Sequence, residues 1–225
     1  MRLVSCLVLA AAVACPGFAL AGENELTFSG GVTLTSRYIS SGIEQSTGAA
    51  IQPWLEGEYN GFYFGAWGST VSKEIMGDDI YEVDLYLGYR NEIGKFSYDL
   101  SYARYYYNEM ADDEHVYRDV VLSLGYAATE QFSFGTTLKH NTESGDERVL
   151  NSAIFADYAL NDKFGLSATF GNVNYKAADA ADYDYWSIGG SYALNDALSV
   201  SVSWNDTNRD GEDDGIAIVA LDYSF

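Results

Sequence analysis

From Glu25 to Phe225 apolar and polar residues alternate with a period of two, and no helical periodicity interrupts them. Leu198-Ser199-Val200-Ser201-Val202-Ser203-Trp204 and Val83-Asp84-Leu85-Tyr86-Leu87-Gly88-Tyr89 are clear cases. Such alternation is a strand with one apolar face. It predicts twelve strands, over residues 25–38, 47–59, 62–72, 79–91, 95–108, 114–127, 131–142, 147–160, 163–175, 183–194, 197–206 and 215–225. No run in this region is long and apolar enough for a spanning helix, so a membrane location requires a closed barrel, in which every backbone polar group is paired.

The connections alternate as well. Asn60-Gly61, Ile93-Gly94, Ala128-Thr129-Glu130, Asn161-Asp162 and Asn195-Asp196 are short, whereas 39–46, 73–78, 109–113, 143–146, 176–182 and 207–214 are longer and mostly acidic. Short turns on one rim and long loops on the other, with an even strand number, define the pattern of outer-membrane barrels. A soluble β-sandwich is the rival, and it lacks this regular loop alternation. Tyr126 to Phe134, Tyr158 to Leu166 and Tyr192 to Val200 are three copies of one hairpin unit, with Tyr before the turn. The fold expected is therefore all-β: a twelve-stranded antiparallel transmembrane barrel.

The amino terminus reads as an export signal over residues 1–21, leaving residues 22–225 as the barrel. Met1-Arg2 opens it, Leu3 to Ala14 is apolar and Ala19-Leu20-Ala21 is an A-x-A cleavage site. A lipoprotein reading of Ala12-Val13-Ala14-Cys15 lacks the usual leucine. Cys6 and Cys15 leave with the signal, so the exported chain forms no disulfide. Loss of Arg2 takes the formal charge from −21 to −22, which argues against nucleic-acid binding.

In the last strand Leu221, Tyr223 and Phe225 share one face, with Asp222 and Ser224 on the other. The first set resembles the terminal signal read by the outer-membrane assembly machinery, and Asp222 then faces the lumen. Trp186 and Trp204 near the long loops, and Tyr89, Phe96, Tyr126, Phe132, Phe164 and Tyr192 near the short turns, fit two aromatic girdles.

Ser36-Arg37-Tyr38-Ile39-Ser40-Ser41-Gly42-Ile43-Glu44-Gln45-Ser46, then Ala50-Ile51-Gln52, Gly61 to Ser69 and Glu82 to Tyr89, resembles the TorF-like putative porin family of proteobacteria. Family members often carry Arg where Ser41 stands. The resemblance implies an outer-membrane barrel in a Gram-negative bacterium and suggests a channel; it names no solute.

Alternation and turn positions supply candidate sites. Arg37, Glu56, Glu82, Asp84, Arg90, Asp99, Asp119, Lys139, Asp157 and Asp222 are expected to face the lumen. The turns as read place Asp84 opposite Ala103, Ala103 opposite Asp119, Asp119 opposite Lys139 and Trp54 opposite Trp67. The Trp pair is either lumen packing or a sugar platform. A net-negative lumen favours cations if it is open. Twelve strands lie between filled eight-stranded barrels and open sixteen-stranded porins, so an open path and a lumen plugged by side chains both stand. Outward-facing Arg104, Arg118 and His140 form a row that either a lipopolysaccharide phosphate neutralises near the rim or a β-bulge relieves by turning one side chain inward.

His140-Asn141-Thr142 has Thr where an outer-membrane phospholipase carries Ser, and no triad partner is evident, so no enzyme is expected. His115 beside Asp112, Asp113 and Glu114 reads as a solvated loop residue. Asp206, Asn208 and Asp210 match the start of a calcium loop, but Asp213 and Ala217 depart from it, so a solvated acidic loop is expected, with calcium the alternative. No other cofactor is implied. The expected chain is a monomeric channel for small solutes, cation-preferring or weakly selective, whose partners are outer-membrane lipid, lipopolysaccharide and the assembly machinery. The alternative is a non-conducting structural barrel whose acidic loops bind ions, lipopolysaccharide or partners.

Overall fold

A computed structural model of the chain describes residues 25–76, 80–107, 116–141, 149–176, 181–211 and 215–225. The segment read as an export signal lies outside these residues, as do His115, Thr142 and Asp213. The strands are β1 (Thr27–Thr35), β2 (Ile39–Ser40), β3 (Ile43–Glu44), β4 (Ala50–Tyr59), β5 (Phe62–Thr70), β6 (Tyr81–Ile93), β7 (Phe96–Tyr107), β8 (Val116–Ala127), β9 (Phe132–Asn141), β10 (Val149–Ala159), β11 (Phe164–Tyr175), β12 (Tyr183–Ala193), β13 (Leu198–Thr207) and β14 (Ile216–Ser224). One helical turn, α1 (Lys73–Met76), sits between β5 and β6. Strands β1 and β4 to β14 close a twelve-stranded antiparallel barrel in sequence order, and β2 and β3 form a separate hairpin.

Closure is sealed where β1 meets β14. Gly31 pairs with Ser224 and Thr33 with Asp222. The Phe225 N–H donates to the Gly30 carbonyl at 2.9 Å, and the Gly30 N–H returns a bond to the Phe225 carbonyl at 3.2 Å. No barrel edge is then left unpaired, the condition for a sheet to sit in hydrocarbon. A side chain at Gly31 would place Cβ 2.3 Å from the Tyr223 carbonyl oxygen and 2.7 Å from the Trp54 indole nitrogen. Gly31→Leu is therefore expected to abolish the heat-modifiable folded band on gels. Gly48→Leu, where a Cβ meets nothing within 4 Å, leaves it intact. A folded Gly31→Leu barrel would show that the seam tolerates separation.

Turn chemistry sets the register. Asn60 (φ 51°) and Gly61 (φ 84°) form the type I′ turn that their sequence predicts. The next turn is centred on Gly94-Lys95, not Ile93-Gly94. Gly94 takes φ 66°, the first position of a type II′ turn, and Ile93 pairs with Phe96. Asp84 consequently faces Tyr105 rather than Ala103.

The three hairpin repeats share one loop design. The side-chain oxygens of Asn161 and Asn195 accept the N–H two residues on, each at 2.9 Å. The Thr129 hydroxyl does the same for Gln131 at 3.2 Å and for Phe132 at 2.9 Å. These side chains stand in for backbone partners at the bend. Each loop then pairs Ala127 with Ser133, Ala159 with Gly165 and Ala193 with Ser199. Lys139 therefore lies opposite Val121, and Asp119 opposite Asn141. Both corrections are slips of two residues, which move a pair along the strand and leave every side chain on its expected face.

The outer face is apolar. Phe28, Leu55, Phe64, Leu87, Leu100, Ile154, Ile188 and Val202 are among its exposed residues. The aromatic girdle by the short turns pairs rings across neighbouring strands: Phe62–Tyr89 centroids lie 4.7 Å apart, Phe96–Tyr126 4.8 Å, Tyr126–Phe134 5.7 Å and Phe164–Tyr192 4.6 Å. Trp186 and Trp204 are exposed at the opposite rim. Each tilted ring pair adds about 1 kcal/mol beyond its buried area. Leu221, Tyr223 and Phe225 point outward, and Tyr223 and Phe225 sit 6.3 Å apart.

Candidate functional site

The lumen has two unlike walls and a crossbar. On β4 to β9 the inward side carries bulky and charged residues between smaller ones such as Ser69, Ala103 and Ser123. The Arg90 guanidinium pairs with Glu56, stands 3.4 Å from Glu58 and lies 3.9 Å from the centre of the Tyr63 ring. The Tyr63 hydroxyl donates to Asp99 at 2.6 Å. This cluster joins β4, β5, β6 and β7 near the short turns. A second cluster lies nearer the long loops. Lys139 is 3.0 Å from Asp119 and 4.6 Å from the Tyr105 ring centre, and the Tyr107 hydroxyl donates to Glu82 at 3.1 Å. Asp119 and Lys139 meet diagonally, so the ion pair read from the sequence forms although their register differs. Trp54 and Trp67 pair across β4 and β5 as expected.

Charges drawn in from water are held by such pairing, because an uncompensated buried carboxylate is costly. Asp84 and Glu82 are buried beside these clusters, and each has one oxygen without a hydrogen-bond partner.

The wall of β12 to β14 and β1 is mostly small and hydroxylic, with Tyr185, Ile216 and Ile218 toward the long loops. Register places Tyr185, Ser187, Gly189 and Ser191, then Ser199, Ser201, Ser203 and Asn205, then Ile216, Ile218, Ala220, Asp222 and Ser224, then Thr33 and Thr35 on its inner face. The Thr33 hydroxyl donates to Asp222 at 2.6 Å. A cavity of about 40 Å³ lies here, bounded by Thr33, Thr35, Gln52, Ser201, Ser203, Asn205 and the crossbar residues Arg37, Tyr38 and Ile39. Such a volume holds a few water molecules. Asp157 is half-buried on β10, opposite Ser133 and Ser167.

The crossbar is the segment 36–49, of which 39–46 is expected to be a long loop at the rim and the rest the ends of the flanking strands. It folds into the mouth of the barrel instead. Tyr38 is buried against Ala50, Val71 and Trp67, its ring 5.5 Å from that of Trp67. The Tyr38 N–H donates to the Ser46 hydroxyl at 2.8 Å, and the Gln45 N–H to the Tyr38 carbonyl at 2.7 Å. β2 and β3 are joined by Ser41 (φ 52°) and Gly42 (φ 81°), a second I′ turn, and Arg37 braces the hairpin through Glu44 at 3.1 Å.

Its tip reaches the far wall. Asn151 of β10 donates to the Ser41 hydroxyl at 2.7 Å and accepts from the Tyr185 hydroxyl at 2.9 Å. Gly42 fits so closely that a Cβ would lie 2.6 Å from the Tyr185 Cβ and 3.0 Å from the Thr207 Cβ. Strand β10 lies almost half-way round the barrel from β1. The sequence signal for this hairpin is Ser-Gly flanked by Ile39 and Ile43, a turn dipeptide between apolar residues.

On the outer face Arg104 and Arg118 are directly opposed. His140 pairs with Val120 rather than extending the row to Arg118, by the same two-residue slip. The Arg104 guanidinium lies 5.1 Å from the centre of the Tyr106 ring. In the last long loop Asn208 is tied to β12: its side-chain oxygen accepts the Asp184 N–H at 2.7 Å, and Asp206 accepts the Thr207 N–H at 2.8 Å. Among the described residues no three His, Cys, Asp or Glu side chains gather as a metal site.

A closed twelve-stranded barrel with an apolar belt, aromatic rims and a polar lumen is a porin-like barrel. The chain belongs to the family described as bacterial protein of unknown function (Gcw_chp), whose profile matches residues 19–218. No curated protein matches it in sequence. Among solved structures it is similar to the KdgM porin, with a TM-score of 0.66 and 10% identity over 88% of this chain and 99% of that one. KdgM has also been solved in complex with disordered oligogalacturonate (TM-score 0.64, 9% identity, 88% and 98% covered). The NanC porin gives a TM-score of 0.59 at 11% identity, over 87% and 97% of the two chains. These overlaps show a shared fold, and at identities this low they show the fold alone.

Proposed function

We propose that the protein is an outer-membrane channel of a Gram-negative bacterium. It passes small solutes by diffusion past a constriction formed by residues 36–49, with a weak preference for cations. The observation that carries this reading is the lumen: polar on every strand, with a hydroxyl-lined wall bordering a cavity below the crossbar. The porin-like fold and the resemblance of the first loop to TorF-like porins support it.

The inward acids Glu56, Glu58, Glu82, Asp84, Asp99, Asp119, Asp157 and Asp222 outnumber Arg90 and Lys139. Their field lowers the barrier for cations and raises it for anions. The oligogalacturonate held by KdgM is a polyanion, and this lumen carries the opposite preference. Residues 1–21 serve export, and Leu221, Tyr223 and Phe225 are the positions through which the assembly machinery would recognise the last strand. Arg104 and Arg118 would take a lipid phosphate on the outer face.

The test is the reversal potential of bilayers holding many copies under a KCl gradient. The expected result is a potential shifted toward that of K⁺, reduced when Asp84 and Asp119 are both replaced by Asn. A potential shifted toward that of Cl⁻ would overturn the selectivity. Folded protein that carries no current would favour the non-conducting barrel, with the crossbar as its plug.

A further inference from the structure

We infer that the permeation lane hugs the β13–β14–β1 wall and favours small neutral polyhydroxyl solutes. This inference deepens the channel reading and rests on it. Volume decides where the lane runs. In a barrel of this width the free cross-section lies where inward side chains are short. The β4–β9 wall fills its half of the lumen with Tyr63, Tyr105, Arg90 and Lys139, locked to carboxylates and to one another. The opposite wall offers mostly Ser, Thr, Gly and Ala, with Ile218 and Asn205 toward the long loops, and the cavity beneath Tyr38 and Ile39 of the crossbar lies against it.

Chemistry decides what the lane favours. Ser199, Ser201 and Ser203 stand at every second residue of β13, roughly 7 Å apart along the strand. Asn205 extends this row, donating to the Ser203 hydroxyl at 2.9 Å. A hydroxyl both donates and accepts, so such a row exchanges hydrogen bonds with the successive hydroxyls of a polyol as water is stripped away. It offers a bare ion no formal charge. The acid on this wall, Asp222, already accepts from Thr33 through one oxygen. The remaining lumen carboxylates are mostly committed to the far wall.

The experiment reconstitutes the full chain in liposomes. It measures swelling in glycerol, xylitol and sorbitol beside the K⁺ conductance of the same preparation. The paired change Ser201→Ala and Ser203→Ala keeps the space and removes the hydroxyls. Xylitol flux is expected to fall about tenfold relative to K⁺ conductance, as the loss of one to two hydrogen bonds in transit would cause. Ser201→Leu with Ser203→Leu is expected to reduce both, whereas Thr137→Leu on the opposite wall changes neither. Xylitol flux unmoved by the Ala pair, or controlled by Thr137 instead, would overturn the lane. So would wild-type protein that conducts K⁺ and excludes all three polyols, and in that case the channel itself stands. Folded protein that passes neither ions nor polyols overturns the channel reading on which the lane depends.

Discussion

Replacing Ile39 to Glu44 with a flexible Gly-Ser segment of equal length raises single-channel conductance by at least about threefold, because a constriction in series dominates the resistance of a pore. The crossbar stays in the mouth through a short set of contacts: the Tyr38–Trp67 edge contact, the Asn151 bond to Ser41, the Arg37–Glu44 ion pair and the fit of Gly42 against Tyr185 and Thr207. A Gly-Ser-Gly-Ser-Gly-Ser segment puts Gly at 41 and Ser at 42, keeps none of the contacts made by Ser41, Gly42 and Glu44, and has no preference for the hairpin, so it spends its time outside the mouth. Open-channel noise is expected to increase as well. A milder variant, Asn151→Ala, removes the tip bond together with the bond from the Tyr185 hydroxyl and is expected to give brief openings to the larger level. Unchanged conductance in both variants would mean that ions pass beside the crossbar without meeting it.

The second large effect is on stability. Arg90→Ala leaves Glu56 and Glu58 facing each other in the lumen without their shared cation. The three side chains are 10%, 6% and 8% exposed. Removing one partner of a buried ionic group costs about 3–5 kcal/mol, since the remaining charge is left uncompensated. The stacked Tyr63 ring also loses its cation, and with it part of the support for the Asp99 bond. The expected result is a clear fall in the urea midpoint of the refolded barrel, followed by tryptophan fluorescence. Converting the group together, with Arg90→Met, Glu56→Gln and Glu58→Gln, is expected to recover most of the loss, because it removes the charges rather than stranding them. A single variant as stable as the wild type would show that water reaches these carboxylates freely.

Strand number, rim assignment and inward or outward facing were legible because each rests on local chemistry: period-two alternation, Asn-Gly and Asn-Asp turns, and loop length. Register was legible only to within two residues. Gly94 can occupy either central position of a two-residue turn, and alternation cannot separate the two because a slip of two preserves every face. The Asp119–Lys139 pair survived the slip because a lysine side chain spans the diagonal.

The crossbar was not legible as such. A polar loop looks the same in composition whether it stands in solvent or folds into a polar lumen, and the residues that hold it, Trp67, Asn151, Tyr185 and Thr207, lie on strands distant in sequence. Parity likewise placed Glu56, Asp84, Asp99 and Asp119 inside without revealing that most of them are tied into one wall. Which residues reach one another across a barrel depends on strand order around the ring as well as on facing. Glu58, Tyr63 and Tyr105, absent from the residues singled out by sequence, belong to the same clusters and could have been found from their parity with Glu56 and Asp99.

The most direct measurement is single-channel recording of the refolded wild-type protein in a planar bilayer, on material whose folding is verified by heat-modifiable migration. The account predicts discrete steps, small for a twelve-stranded barrel because the crossbar occupies its mouth. A silent bilayer from fully folded protein would contradict it, and would make the crossbar a plug and the barrel a structural one.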